Sequence, residues 1–445
     1  MNNIKRRKGI RPIQILPLGF LFIIVVGTLL LMLPMATHSG HIDLFDAVFT
    51  ATSASCVTGL STVDTGTYFT TFGKVIILLL IQVGGLGFMT MTTFLFLVMR
   101  RKVSLRSRVI LKEALGENTP VSAHQLMRHA VAYTLSIEGV GMLFLATRFI
   151  PKFGLGRGLW FSLFHSISAF CNAGFDLMGA EGSLQAYVGD PIVNITVMLL
   201  IILGGLGFAV IHNMVTYRTS HRLGLQTKLV LWMSLGLILG GWLLFFVFEY
   251  SNPATLGPLS VGDKLWASLF QSVTCRTAGF FTVNQAALRD VSKLTACLLM
   301  FIGAAPAGTA GGVKVTTILV ILLTIRALIQ GNDEVEVYHR TIVRSSIRRA
   351  LCLIIFAILI MLVAVMSISM AEGSSMIDIF YEVCSALGTV GLTSGVTAAV
   401  GLFSKAVLCV LMYFGRVGLL TLVASLGKEE SSRVVHYPSS DIMIG

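Results

Sequence analysis

The sequence predicts an all-α polytopic membrane protein in which one helix–loop–helix unit is used four times about a pseudo-fourfold axis. Three observations predict it: few charges among many apolar residues, eight long apolar runs, and a glycine motif returning at nearly quarter-chain spacing. Of the 445 residues, 55% are hydrophobic and 12% charged, against about 25% charged in soluble domains. A transmembrane β-barrel would show alternating segments of about ten residues instead.

The apolar runs cover 13–35, 75–99, 130–149, 192–216, 229–248, 294–325, 350–370 and 405–426. Each reaches the roughly 20 residues that a membrane helix needs. The first is too long for a signal-peptide core and lacks a small-residue cleavage site, so it reads as a retained helix. An even number of spans puts both termini on one side. The basic residues choose that side: 22 of the 33 Lys and Arg lie in the tails, in alternate links or, for Arg326, at the edge of one, which marks these as cytoplasmic. The net charge of +12 is thus a topology signal and implies no nucleic-acid partner. The chain divides into a cytoplasmic tail 1–12, units 13–99, 130–217, 229–326 and 350–427, cytoplasmic links 100–129, 218–228 and 327–349, and a cytoplasmic tail 428–445.

Within each unit an outer segment joins the two helices. The four outer segments contain SASCVTGL (53–60), SAFCNAGF (168–175), VTCRTAGF (273–280) and SALGTVGL (385–392). Gly59, Gly174, Gly279 and Gly391 are 115, 105 and 112 residues apart. An apolar aromatic stretch precedes each and carries Phe49, Phe164, Phe270 or Tyr381. It reads as a short re-entrant pore helix that runs into an extended strand. A second echo lies in the helix after each loop: IQVGGLGF (81–88), IILGGLGF (201–208), FIGAAPAG (301–308) and YFGRVGLL (413–420). The whole is four M1–pore loop–M2 repeats, with eight transmembrane helices and four re-entrant pore helices around one pore.

Non-helical backbone at membrane depth must be buried in protein or face water. Four such loops about one axis would stack their carbonyls into rings that replace the hydration shell of potassium. Glycine supplies the positive φ that such a strand needs. The ligands are backbone atoms, so the preceding side chains are free to differ. They do: Val57-Thr58, Asn172-Ala173, Thr277-Ala278 and Thr389-Val390. The expected filter comprises these eight residues and the four glycines.

The third unit departs from the others. Gly303-Ala304-Ala305-Pro306-Ala307-Gly308-Thr309-Ala310-Gly311-Gly312 cannot hold an ordinary helix, since each interior Gly costs up to about 1 kcal/mol and Pro about 3. The reading is a helix broken into a flexible loop over 303–312, unique to this unit and placed to obstruct the cavity. Arg416 falls about 11 residues, or roughly 16 Å, into the last apolar run. A charge there must face water or a partner. It would repel cations, or hold the 303–312 loop through its carbonyls. Lys314 is placed to snorkel near the inner end of its helix. Arg276 either braces the filter or is a solvated charge at the outer mouth. Glu138, in the third helix, has no partner that the sequence identifies.

These features resemble the Trk/Ktr/HKT superfamily of potassium transporters over essentially the whole chain. The resemblance rests on the four units, on one glycine per loop in place of TVGYG, and on GAAPAGTAGGVK (303–314). Length and helix count are similar to the membrane subunits of the KtrB type and lack the extra N-terminal helices of the TrkH type. The resemblance implies potassium uptake in a bacterial cell membrane with sodium as an activating ion. It implies a homodimer on a cytosolic KtrA-like ring that binds ATP/ADP or NAD(H). It also makes 303–312 the gating loop and Arg416 a barrier. No cofactor is expected in this chain beyond the transported potassium.

Other classes fit less well. A secondary transporter for an organic solute would show two repeats with ionisable residues at the binding site. A membrane enzyme needs a catalytic cluster, and there is no H-E-x-x-H, no Walker loop and no plausible triad. The nine His are scattered and the seven Cys form no C-x-x-C pair, so the thiols read as packing residues.

Overall fold

The computed structural model describes residues 12–87, 123–179, 182–217, 221–419 and 421. The tail before residue 12, the end of the first unit with most of the link after it, Arg218 and the tail 428–445 lie outside the described residues.

Four helices, α1 (Pro12–Leu31), α5 (Ala123–Phe153), α9 (Leu225–Glu249) and α13 (Arg344–Ala371), are long and apolar enough to cross a membrane. Each has a bare apolar face: Phe22, Leu143, Trp232 and Val363 are 66–67% exposed. Such surfaces are ordinary against lipid and costly in water.

After each long helix comes a short one: α2 (Leu44–Cys56), α6 (Leu155–Phe170), α10 (Val261–Thr274) and α14 (Met376–Gly388). Three start on a side-chain cap. Asp43 accepts from Phe45 N at 3.0 Å, Ser260 from Asp263 N at 3.2 Å and Ser375 from Asp378 N at 3.3 Å, so each satisfies an orphan donor of the first turn. Gly154 precedes α6 without a side-chain cap. The short helices form the centre of the molecule. Phe49, Phe164, Phe270 and Tyr381 are all 0% exposed.

The second helices are shorter than the hydropathy runs predict. In the first unit a single turn, α3 (Thr65–Tyr68), leads into α4 (Thr71–Leu86). The second unit has α7 (Pro191–Leu206) and α8 (Phe208–Val215), and the fourth has α15 (Leu402–Val417). They stop at Gly87, Gly207 and Gly418, with φ of +80°, +86° and +90°. This corrects the expectation that only the third unit is broken: α7 and α8 meet at 102°. The left-handed region is open to glycine at little cost and ends a helix there, whatever the hydropathy of its neighbours.

In the third unit α11 (Asp290–Phe301) gives way to the extended segment 302–314, and the helix resumes as α12 (Val315–Ile329). A two-stranded hairpin, β1 (Glu336–Val337) with β2 (Arg340–Thr341), leads to α13. Neighbouring units are pinned at the N-terminal ends of α11 and α15. Lys293 pairs with Asp378 at 2.7 Å, and Lys405 with Asp46 at 2.8 Å.

Candidate functional site

The four short helices aim their C-termini at one place. There the backbone repeats a pattern. Val57, Asn172, Thr277 and Thr389 have φ of +57°, +57°, +72° and +52°, and two residues on Gly59, Gly174, Gly279 and Gly391 have φ of +92°, +68°, +83° and +93°. Handedness therefore alternates along each strand. Three of the four upstream residues are β-branched, for which this region is an outlier. That strain could not be read from the residue types, since only Asn172 favours the left-handed region.

The loops meet in a closed ring. A Cβ on Gly59 would collide with Ala173 O, and one on Gly391 with Thr58 O; one on Gly174 would stand 2.8 Å from Ala278 O and one on Gly279 2.6 Å from Val390 O. So each glycine lies against the carbonyl that precedes the next unit's glycine, and the fourth unit returns to the first. Any side chain here would part the ring.

Hydroxyls brace the strands from behind. Ser53 Oγ accepts from Gly59 N at 3.0 Å and Ser385 Oγ from Gly391 N at 3.1 Å. Ser168 Oγ donates to Phe175 O at 2.7 Å, and Thr274 Oγ1 donates to Phe280 O. The recurring Ser of three motifs was the visible signal for this role. The third loop uses a residue one position later. Between the second and third loops, the Asn172 side-chain amide lies 3.2 Å from Thr277 Oγ1.

Below the ring, the inner-helix glycines let backbone touch backbone. Cβ atoms on Gly84, Gly204 and Gly415 would overlap the carbonyls of Ser55, Phe170 and Leu387, each four residues before a ring glycine. The segment 302–314 crosses beneath. Ala305 N donates to Gly205 O at 3.0 Å, Thr309 N to Gly204 O at 3.2 Å, and Phe208 N to Ala307 O at 3.0 Å. On the opposite side Gly312 N donates to Gly415 O at 3.2 Å. Gly303 N donates to Val313 O at 2.8 Å, closing the segment on itself. Pro306 O lies against Gly207, Gly308 against Gly204 O, and Gly311 directly under the Thr389 side chain.

Arg416 ties this segment to the first unit. Its guanidinium donates to Thr309 O and to Gly84 O, and to Gly85 O at 3.0 Å. It is not mid-helix, because α15 ends at Val417; it sits in the last turn, where the helix dipole favours a cation. Lys314 does not snorkel. It is half-buried, and its Nζ donates to Ala310 O at 2.7 Å and Gly311 O at 3.4 Å, so it folds back onto the segment. Both cations line a cavity of about 220 Å³ with Gly312, Gly415 and Leu387.

Arg276 is not a solvated charge; it ties the third loop to a neighbouring helix. It is 7% exposed and donates to Ser234 O at 3.3 Å and Ser234 Oγ at 3.1 Å, on α9. Glu138 faces inward and meets Gln82 of the first unit, whose Nε2 donates to Oε2 at 3.3 Å. Beyond the ring glycines, the four positions two residues on hold Ser61, Asp176, Phe281 and Thr393. Burial pushes the Asp176 carboxyl up to about 6, and the Asp64 charge adds to the effect. Among the described residues no group of three His, Cys, Asp or Glu is placed to hold a metal ion.

Comparison with known proteins agrees with this architecture. The chain is 42% identical over 434 residues to the Ktr system potassium uptake protein B of Bacillus subtilis, covering 98% of this chain and 97% of that one. It is 38% identical to the potassium/sodium uptake protein NtpJ of Enterococcus hirae, covering 99% and 98%. The crystal structure of the potassium transporter TrkH from Vibrio parahaemolyticus superposes with a TM-score of 0.75 at 19% identity, covering 96% of this chain and 87% of that one. This last likeness is one of fold. The model of the TrkH family of cation transport proteins matches residues 11–437, and the chain belongs to that family of multi-pass membrane transporters, not to an enzyme class.

Proposed function

We propose that the chain carries potassium into the cell through the ring of four loops. The observation that carries this reading is the closed ring of Gly59, Gly174, Gly279 and Gly391, each backed by a left-handed residue two positions earlier. Residues alternating in handedness turn successive carbonyls toward the same side, so four such strands form stacked oxygen rings. Potassium is held by the carbonyls of Val57-Thr58-Gly59, Asn172-Ala173-Gly174, Thr277-Ala278-Gly279 and Thr389-Val390-Gly391. The C-terminal ends of the four short helices add negative potential beneath them. The units run 13–99, 130–217, 229–326 and 350–427, with both termini in the cytoplasm.

The segment 303–312, with Gly303, Pro306, Gly308, Gly311, Gly312, Lys314 and Arg416, is the gate. It is held shut by bonds to the second and fourth units, and through Arg416 to the first; Arg416 also adds a positive barrier on the ion's route. The names of the relatives support potassium as cargo and sodium as an activating ion. The name "Ktr system" supports assembly with a further subunit, here a KtrA-like ring controlled by ATP/ADP or NAD(H) beneath a homodimer of this chain.

The test is uptake of potassium and sodium by a transport-deficient cell expressing Gly→Ser variants at each ring position. Potassium-over-sodium preference should fall on the order of tenfold, the effect of about 1.4 kcal/mol at one ligand set. Four variants with wild-type uptake and preference would refute the filter.

A further inference from the structure

We infer that Glu138, Thr134 and Gln82 form a binding site for a sodium ion behind the second loop. The inference rests on the sodium response proposed above and gives it a location. Glu138 is the sixteenth of the 31 residues of α5, halfway along a helix that crosses the membrane. It is 4% exposed, and no ion pair found among the described residues includes it. Its carboxylate has an amide donor from Gln82 at 3.3 Å and the Cys171 thiol at 3.8 Å. Neither carries charge. A carboxylate at this depth is costly unless a cation offsets it.

A second observation points to the same place. Thr134 is 0% exposed, and its Oγ1 has no hydrogen-bond partner. It lies one helical turn before Glu138, so both side chains share a face of α5. A buried hydroxyl ordinarily finds a partner; several other hydroxyls of the described residues lack one too, and Thr134 stands out by lying one turn from the carboxylate. The carboxylate, the hydroxyl and the Gln82 amide oxygen make a small oxygen-rich set of one net negative charge. That suits a hard monovalent cation. It does not suit a divalent ion, which would leave uncompensated positive charge in the membrane.

The position explains how such an ion would reach the transport path. Cys171, against the carboxylate, is followed by Asn172 of the second loop. Gln82 is one turn from Gly85, whose Cβ position abuts Cys171 and whose carbonyl accepts from Arg416. A cation here would steady the second loop and the Arg416 anchor together.

The test is thermal melting of the purified full chain in sodium chloride against choline chloride, together with uptake against sodium concentration. Sodium should raise the melting temperature of the wild type and stimulate its uptake. Glu138→Gln and Thr134→Val should each raise the half-saturating sodium concentration, by about tenfold or more for the carboxylate. Gly391→Ser, on the far side of the ring, should keep the sodium-dependent melting shift even where it loses ion preference, which separates this site from the filter. A wild type that melts alike in both salts would overturn the proposal. So would two variants that both keep the wild-type half-saturation within about twofold.

Discussion

At the scale of single residues, the ring shows what a backbone can demand of a sequence. Gly59, Gly174, Gly279 and Gly391 recur because a Cβ would strike the neighbouring carbonyl. That demand was legible, since it allows one residue type. The left-handed conformation two residues earlier was not, because Val, Asn and Thr all accept it under the pressure of the surrounding packing. Of the four residues two positions beyond the ring glycines, Asp176 is the one that carries a carboxyl. Its carboxyl is raised from 3.8 to about 6, so it keeps its proton through mildly acidic pH and is charged only above that. The apparent KM for potassium should therefore rise as external pH falls from about 7 to about 5. Asp176→Asn should show the higher KM at every pH, with little change in maximal rate. Uptake measured against potassium concentration at several external pH values checks this; a variant as pH-dependent as wild type would count against it.

At the scale of elements, the decisive feature is where helices end. Hydropathy runs unbroken through IQVGGLGF and IILGGLGF, so the sequence shows one span where the structure has a stop at Gly87 or a bend at Gly207. The glycine echo was visible; its consequence, a free backbone edge that receives the crossing segment, is a tertiary one. The third break was legible because Gly and Pro are dense enough to exclude a helix. The partner of Arg276 was not, since Ser234 lies 42 residues away on another helix. If the crossing segment closes the path, Arg416→Ala should raise flux, since it removes three bonds to Thr309, Gly84 and Gly85. Deleting 303–312 should raise it further. Equal or lower flux in well-expressed protein would refute the gate. By contrast Gly204→Ala drives a methyl into Phe170 O. It should lower stability by about 1–3 kcal/mol through overpacking, read as a lower melting temperature.

At the scale of the whole molecule, the four units are alike in backbone and unlike at their seams. The third meets the fourth through Lys293–Asp378, and the fourth meets the first through Lys405–Asp46. At the corresponding place between first and second, Lys74 has Arg157 in electrostatic range, and donates instead to Gly66 O at 2.6 Å. Asp378 lies below the usual carboxylate range: burial would raise it, but hydrogen bonds from Lys293 and Ser375 and the Lys293 charge prevail. A depressed carboxyl contributes stability above its unfolded pKa and loses it as pH falls through the folded one. Lys293→Met should thus melt lower than wild type at neutral pH, by about 1 kcal/mol or less. The gap should close below about pH 4; a gap that persists there would assign the loss to packing alone.

The pair Lys405–Asp46 joins residues that are 359 positions apart, and Tyr413 adds a hydrogen bond to Pro17 O at 2.9 Å. A linear array of repeats has two ends, and it frays from them. An array bent round until its last member grips its first has none. Drawn out of the bilayer from either terminus, this chain would have to release its opening and closing units together, so a circular necklace of modest clasps resists a pull that would unthread the same beads on an open string.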